Sequence, residues 1–139
     1  MEFRIGHLAY LTADMEATLA FYVGALGFTH AFSLADDNGQ PWIEYTMSPD
    51  GRFVEFFYAT AEEAHADTGS FRHLCLEVDD CAAAVAELEK KGIKIDHPVS
   101  QGKDTNFQAW ITDPDGRPIE LMQVNPTSGQ FKARAAMKK

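Results

Sequence analysis

Two histidines and two glutamates stand at matching places in this chain: His7 with Glu55 and His73 with Glu120, at separations of 48 and 47 residues. Each glutamate lies in an apolar run, "FVEFF" for Glu55 and "PIELM" for Glu120. Burying an unpaired carboxylate is costly enough to force either protonation or a partner. A divalent ion shared by both imidazoles and both carboxylates would meet that need. Such a nitrogen and oxygen donor set suits zinc, nickel, cobalt, iron or manganese. The ion would keep positions open for substrate oxygens and act as a Lewis acid. A carboxylate beside it would serve as general base. Taken singly, a histidine at a strand start is ordinarily a surface or satisfied core residue. It is the duplicated pairing that favours the metal reading.

The elements that must position these four residues are themselves duplicated. "SPDGRFVEFFY" at 48–58 returns as "DPDGRPIELMQ" at 113–123, with Pro49, Asp50, Gly51, Arg52 and Glu55 recurring at a shift of 65. "HLAYLTAD" at 7–14 returns as "HLCLEVDD" at 73–80 at a shift of 66, one residue of loop length apart. A helical pattern follows each histidine run. Met15, Leu19, Tyr22 and Leu26 share one face of the first helix, which Gly27 stops. Cys81, Val85 and Leu88 share one face of the second, opened by aspartates and closed by lysines before Gly92. Strands are expected at 28–35, 42–47 and 53–58, with a hairpin at Asn38-Gly39, and again at 93–97, 106–112 and 118–124.

Each half therefore reads βαβββ. The fold class is α+β, two tandem βαβββ modules forming a curved mixed sheet around a metal site, in one domain over 1–139. The modules span about 3–58 and 71–124. The acidic stretch 59–70 is a linker with room for one helical turn, and the basic tail 125–139 is expected to be mobile and solvated.

Alternation along strands groups side chains by face. Leu11 goes with His7, Cys75 and Glu77 with His73, Phe57 with Glu55, and Met122 with Glu120. Trp42, Glu44 and Trp110 are further candidates for a pocket lining. For Phe57 and Trp110, simple core packing is an equal alternative, and Cys75 reads most simply as a small buried hydrophobe.

Composition bounds the function. The chain has 139 residues, ample for a core without disulfides or a structural metal. A net charge of −9 argues against nucleic acid and against an acidic membrane surface. No apolar run approaches the ~20 residues of a membrane helix. "MEFRIGHLAY" lacks the pattern of a signal peptide, and Cys75 and Cys81 match no zinc spacing. The expectation is a reduced, cytoplasmic protein with a small-molecule substrate.

With "LAFYVGALGF" at 19–28 and "DPDGRPIEL" at 113–121, the chain resembles the vicinal oxygen chelate superfamily over about residues 3–124, and most of all short bacterial glyoxalase I. The resemblance implies a metal site of His7, Glu55, His73 and Glu120 holding one divalent ion, nickel, cobalt or zinc, with manganese or iron also compatible. It implies isomerisation of the methylglyoxal–glutathione hemithioacetal to S-lactoylglutathione through an enediolate. Glu120 would be the base, with Glu55 opposite it. It also implies a homodimer whose sites combine one half from each subunit.

Two departures concern glutathione. Leu11 stands where the family typically carries an arginine for the glutathione carboxylate, and Ala59 where it typically carries an asparagine. Lys103 or Arg72 could compensate. The alternatives are an epimerase or dioxygenase of the same superfamily, or a metal-free binding or resistance protein.

Overall fold

The structure is a computed structural model that describes residues 1–2, 4–67 and 69–137. The expected module start at residue 3, one linker position at 68 and the tail end at 138–139 lie outside the described residues.

The chain separates into two compact units: residues 1–69 with 114–116, and residues 70–113 with 117–139. In the first unit the order is β1 (His7–Thr12), α1 (Met15–Leu19), β2 (Thr29–Ala35), β3 (Pro41–Met47), β4 (Phe53–Tyr58) and α2 (Ala61–Ala64). In the second it is β5 (Leu74–Glu77), α3 (Cys81–Lys90), β6 (His97–Gln101), β7 (Phe107–Thr112), β8 (Pro118–Gln123) and α4 (Gly129–Ala135). Each unit holds one four-stranded mixed sheet, in the orders β1-β4-β3-β2 and β5-β8-β7-β6. The histidine-bearing segment leads into the strand that pairs in parallel with the glutamate-bearing strand in both units. The α+β class and the duplicated βαβββ order are as expected.

Local chemistry starts and stops these elements. Asp14 accepts from Ala17 N at 3.0 Å and Asp80 from Ala83 N at 2.9 Å, each capping a helix. Asp36 accepts from the amides of Asn38 and Gln40, and Gly39 takes a φ of +76° that its hairpin turn requires. The Pro-Asp-Gly turns close alike, with Ser48 N bonded to Arg52 O and Asp113 N to Arg117 O at 2.9 Å each.

Two boundaries differ from expectation. Past Leu19 the first helix continues as a π-helix over Ala20–Ala25, where Leu26 N reaches back to Phe21 O. Of the expected face, Met15 and Tyr22 are buried while Leu19 and Leu26 are half-buried, and Thr18, Phe21 and Ala25 join the buried side. The strand expected at 93–97 begins only at His97. Ile93 N is bonded to Leu88 O across Gly92, so this segment is used to cap α3.

Alternation then sorts the side chains of each sheet. In the first unit Val54 and Phe56 are buried, and the Tyr22 and Phe56 rings lie 4.7 Å apart. In the second, Ala109, Ile111, Ile119 and Leu121 are buried with Cys81 and Leu88 of α3. Burying each large apolar side chain contributes roughly 1.5–3 kcal/mol. The residues between them face the other way, and those include both glutamates. No helix among the described residues is long and apolar enough to cross a membrane.

Candidate functional site

In the first unit, Glu55 is opposite Ala9 in the parallel pair, two residues past His7. His7 Nε2 and Glu55 Oε2 are 2.6 Å apart. The Glu55 side chain is only 7% exposed and that of His7 58%. Despite the short distance, the two groups are not aligned for a hydrogen bond, and Glu55 Oε2 is buried with no hydrogen-bond partner among the described residues. The separation admits an ion pair if the imidazole is protonated. Both atoms are also of the kinds that ligate divalent cations.

Tyr45 faces Glu55 across β3 and β4. Burial and the hydrogen bond to Glu55 push its phenol above the ordinary value of 10. Phe32 stacks on Tyr45 at 4.1 Å, and Phe53 meets both rings edge-on. Leu11 lies opposite Phe57 on the face of His7, and Trp42 packs edge-on to Phe57 at 5.8 Å. Tyr45, Phe53 and Phe32 were not foreseen as neighbours of the site. The clue lay in the alternation of "PWIEYTM", but only the strand register puts Tyr45 opposite Glu55.

Glu44 does not belong to this face. It alternates with Tyr45, stands opposite buried Phe56, and is held by His30 at 2.7 Å, by Tyr58 at 3.0 Å and by Ser33. Burial alone would raise its pKa. The bonds from Ser33, His30 and Tyr58 outweigh that and hold it below the ordinary 4.5.

The second unit repeats the arrangement. Glu120 is opposite Cys75, two residues past His73, and its Oε2 is 3.3 Å from His73 Nε2. Glu120 is half-buried, with its side chain 16% exposed. Trp110 lies opposite Glu120 on β7 and meets the His73 ring edge-on at 4.8 Å. Met122 is next to Gln108 across the strands, and Asn106 Nδ2 is 3.6 Å from its sulfur. Cys75 is exposed on one side and crowded on the other. Desolvation, then Glu120 and Glu77, push its thiol up to about 11, so it is a neutral thiol at physiological pH. Cys75 is therefore not the buried hydrophobe its sequence suggested; that role falls to Cys81.

The basic tail also departs from expectation. It forms α4, capped by Ser128, and Arg134 makes a two-pronged contact with Glu77 at 2.8 and 2.6 Å. That bond holds the Glu77 carboxyl below its ordinary range. Charge count alone could not have shown that one of these cations has a fixed partner. Lys103 is exposed in the 102–106 turn, and Arg72 is exposed before β5.

The four candidate ligands are thus brought together as two pairs. No group of three or more His, Cys, Asp or Glu residues is gathered so as to hold a metal among the described residues.

The sequence profile described as the Glyoxalase/Bleomycin resistance protein/Dioxygenase superfamily matches residues 4–121, and the chain belongs to that superfamily. It is 30% identical over 128 residues to YaeR of Escherichia coli (strain K12), covering 86% of this chain and 95% of YaeR. It is 25% identical over 133 residues to the lactoylglutathione lyase of Salmonella typhimurium, covering 87% and 93%. Among solved structures, TnmS3, an antibiotic binding protein from Streptomyces sp. CB03234, superposes with a TM-score of 0.69 at 26% identity, covering 89% of this chain and 98% of TnmS3.

Proposed function

We propose that this chain is a divalent-metal-dependent enzyme of the glyoxalase I type, which moves a proton between adjacent carbons of a small oxygenated substrate. The candidate substrate is the hemithioacetal of methylglyoxal with glutathione or with a related thiol. The observation that carries the reading is the buried, unbonded Glu55 Oε2 beside His7 Nε2. An orphaned carboxylate oxygen is costly to keep, and a cation there removes the cost. Superfamily members commonly use a divalent metal, and relatives named lactoylglutathione lyase support the reaction class.

The residues present fit such an ion: His7 and Glu55 would supply one pair of ligands, and His73 and Glu120 the other. When bound, the ion supplies Lewis acidity toward neighbouring substrate oxygens. The two glutamates divide the remaining work. Glu55 is deeply buried and tied to Tyr45, which suits a fixed ligand. Glu120 is more open and borders the Cys75 side of its face, which suits the base that takes the proton from one carbon and returns it to the next. The side chains of Leu11 and Phe57 add an apolar border to the first pair's face. We read the two units as halves of one catalytic domain. The homodimer implied by the family resemblance is the means by which one copy's first pair would meet the other copy's second pair.

The test uses two double variants, His7→Ala/Glu55→Ala and His73→Ala/Glu120→Ala, unfolded together and refolded as a mixture. The reading predicts that neither variant alone binds nickel tightly and that the mixture regains tight sites in its mixed dimers. Tight nickel binding by either variant alone, or by none of the mixtures, contradicts it. A metal-free binder of small molecules is the second reading, favoured by the likeness to the antibiotic binding protein TnmS3. It predicts wild-type ligand binding that is indifferent to chelators.

A further inference from the structure

The second unit has an open cleft of about 620 Å³ whose lining includes Trp110, the residue that stands opposite Glu120 and meets the His73 ring. Register sets its walls: His97 is opposite Trp110, Ser100 is opposite Gln108, and Thr112 is opposite Pro118. Trp110 is the common wall, since it lines the cleft and also touches the His73 ring. The volume is that of a site for a small molecule.

The permanent charge of the cleft is negative. Asp96 lines it together with the imidazole of His97, and no lysine or arginine does so among the described residues. Thr112 Oγ1 donates to Asp96 Oδ2 at 2.6 Å, which orients the carboxylate. The nearest cation to Oδ1 is Lys94 at 3.9 Å, on a side chain 89% exposed, so the pairing is loose and screened. Trp110 Nε1 is already spent on Gln108 Oε1 at 3.1 Å, so the indole offers its π system in place of a donor. The rest of the same face adds Glu120, while Glu77 and Arg134 offset each other through a two-pronged contact. The whole chain carries −9. A carboxylate-bearing ligand would enter this cleft against repulsion. A cationic nitrogen would meet a carboxylate and an aromatic face together.

We infer that this cleft is the subsite for the tail of the substrate and that it selects a tail carrying an ammonium group over one carrying a carboxylate. The inference rests on the proposed reaction for its position beside the reacting carbons, and it names the substrate class: a thiol adduct with an aminoalkyl tail. It also gives the absence of a carboxylate-holding arginine at Leu11 a chemical reason.

The experiment compares two thioethers that share a 2-(methylthio)ethyl group and carry opposite charge, 2-(methylthio)ethylamine and 3-(methylthio)propanoate, by amide and indole NMR titration of the metal-free full chain. The expected result is saturable shifts of the Trp110 indole, Ser100 and Gln108 with the amine only, and a loss of affinity of about tenfold in Asp96→Asn. A Ser100→Lys variant, altered at an exposed position, is expected to reverse the preference. Equal shifts with both probes, tighter binding of the carboxylate, or no shift of these resonances overturns the inference. A second arm measures turnover of methylglyoxal adducts of 2-(dimethylamino)ethanethiol, 3-mercaptopropanoate and glutathione on nickel-loaded protein. Preference for the amine thiol supports the inference, and preference for a carboxylate thiol overturns it. If the amine probe binds in the cleft and no adduct turns over, the proposed reaction fails while the subsite stands.

Discussion

Glu55 Oε2 lies 2.6 Å from His7 Nε2, is buried, and has no hydrogen bond among the described residues. The strand register creates this relationship, because Glu55 stands opposite Ala9, two residues beyond the histidine. Glu120 and His73 repeat it at 3.3 Å through Cys75. Two parallel strand pairs therefore each set one imidazole and one carboxylate diagonally on the face that is turned away from the aromatic or aliphatic core.

If the orphaned oxygen awaits a cation, removing its charge should help the metal-free protein and harm the loaded one. Glu55→Gln is expected to stabilise the apo-protein by about 1–3 kcal/mol and to abolish the rise in Tm that nickel gives the wild type. Thermal unfolding with and without nickel checks both. A less stable apo variant that still gains stability from nickel would contradict the assignment.

The two Pro-Asp-Gly turns look alike in sequence and differ in what their aspartates do. Asp115 is bonded to Thr12 Oγ1 at 2.6 Å, to Ala13 N and His65 Nε2 at 3.1 Å each, and to Thr18 Oγ1 at 3.4 Å, with its side chain 3% exposed. Asp50 is exposed and bonds Ser48. Asp115→Ala should cost about 2–4 kcal/mol by urea unfolding, whereas Asp50→Ala should change stability by about 0.5 kcal/mol or less. Equal costs would mean that the bonds around Asp115 contribute nothing net.

That contrast marks what the sequence could carry. The duplication, the alternation around Glu55 and Glu120, the aspartate caps and the glycine turns were all legible, because each is a local pattern with a local physical cause. Legibility failed where a distant partner decides the outcome. The π-helical stretch after Leu19 has no local signal in the chain, and Tyr22 within it packs against distant Phe56. Glu44 is a candidate for a pocket lining by sequence, but its side depends on the register with Phe56 and on His30, Ser33 and Tyr58. The tail reads as loose charge because nothing near Arg134 in the chain announces Glu77, 57 residues away. Tyr45 was missed for the same reason.

The Glu44 cluster makes stability depend on acidity in a defined direction. Its carboxyl is held below 4.5 in the folded protein, so the folded state gains stability above the ordinary carboxylate range and loses it as pH falls through the lowered value. Tyr58→Phe and Ser33→Ala each remove a bond that lowers it. Each should move the acid unfolding midpoint upward, read by circular dichroism from neutral pH into acid. Midpoints unchanged from wild type would show that Glu44 does not govern the acid limb.

The most direct test of the whole account is the proton transfer itself. Protein stripped of metal and reloaded with nickel, cobalt or zinc is assayed for thioester formation from methylglyoxal adducts of glutathione and of amine-bearing thiols, with Glu120→Gln run alongside and metal content measured in both. The account predicts turnover by the loaded wild type and a loss of about 10²–10⁴-fold in Glu120→Gln with the metal largely retained. Undiminished turnover in that variant, or a fully loaded wild type inert toward every adduct, would contradict it.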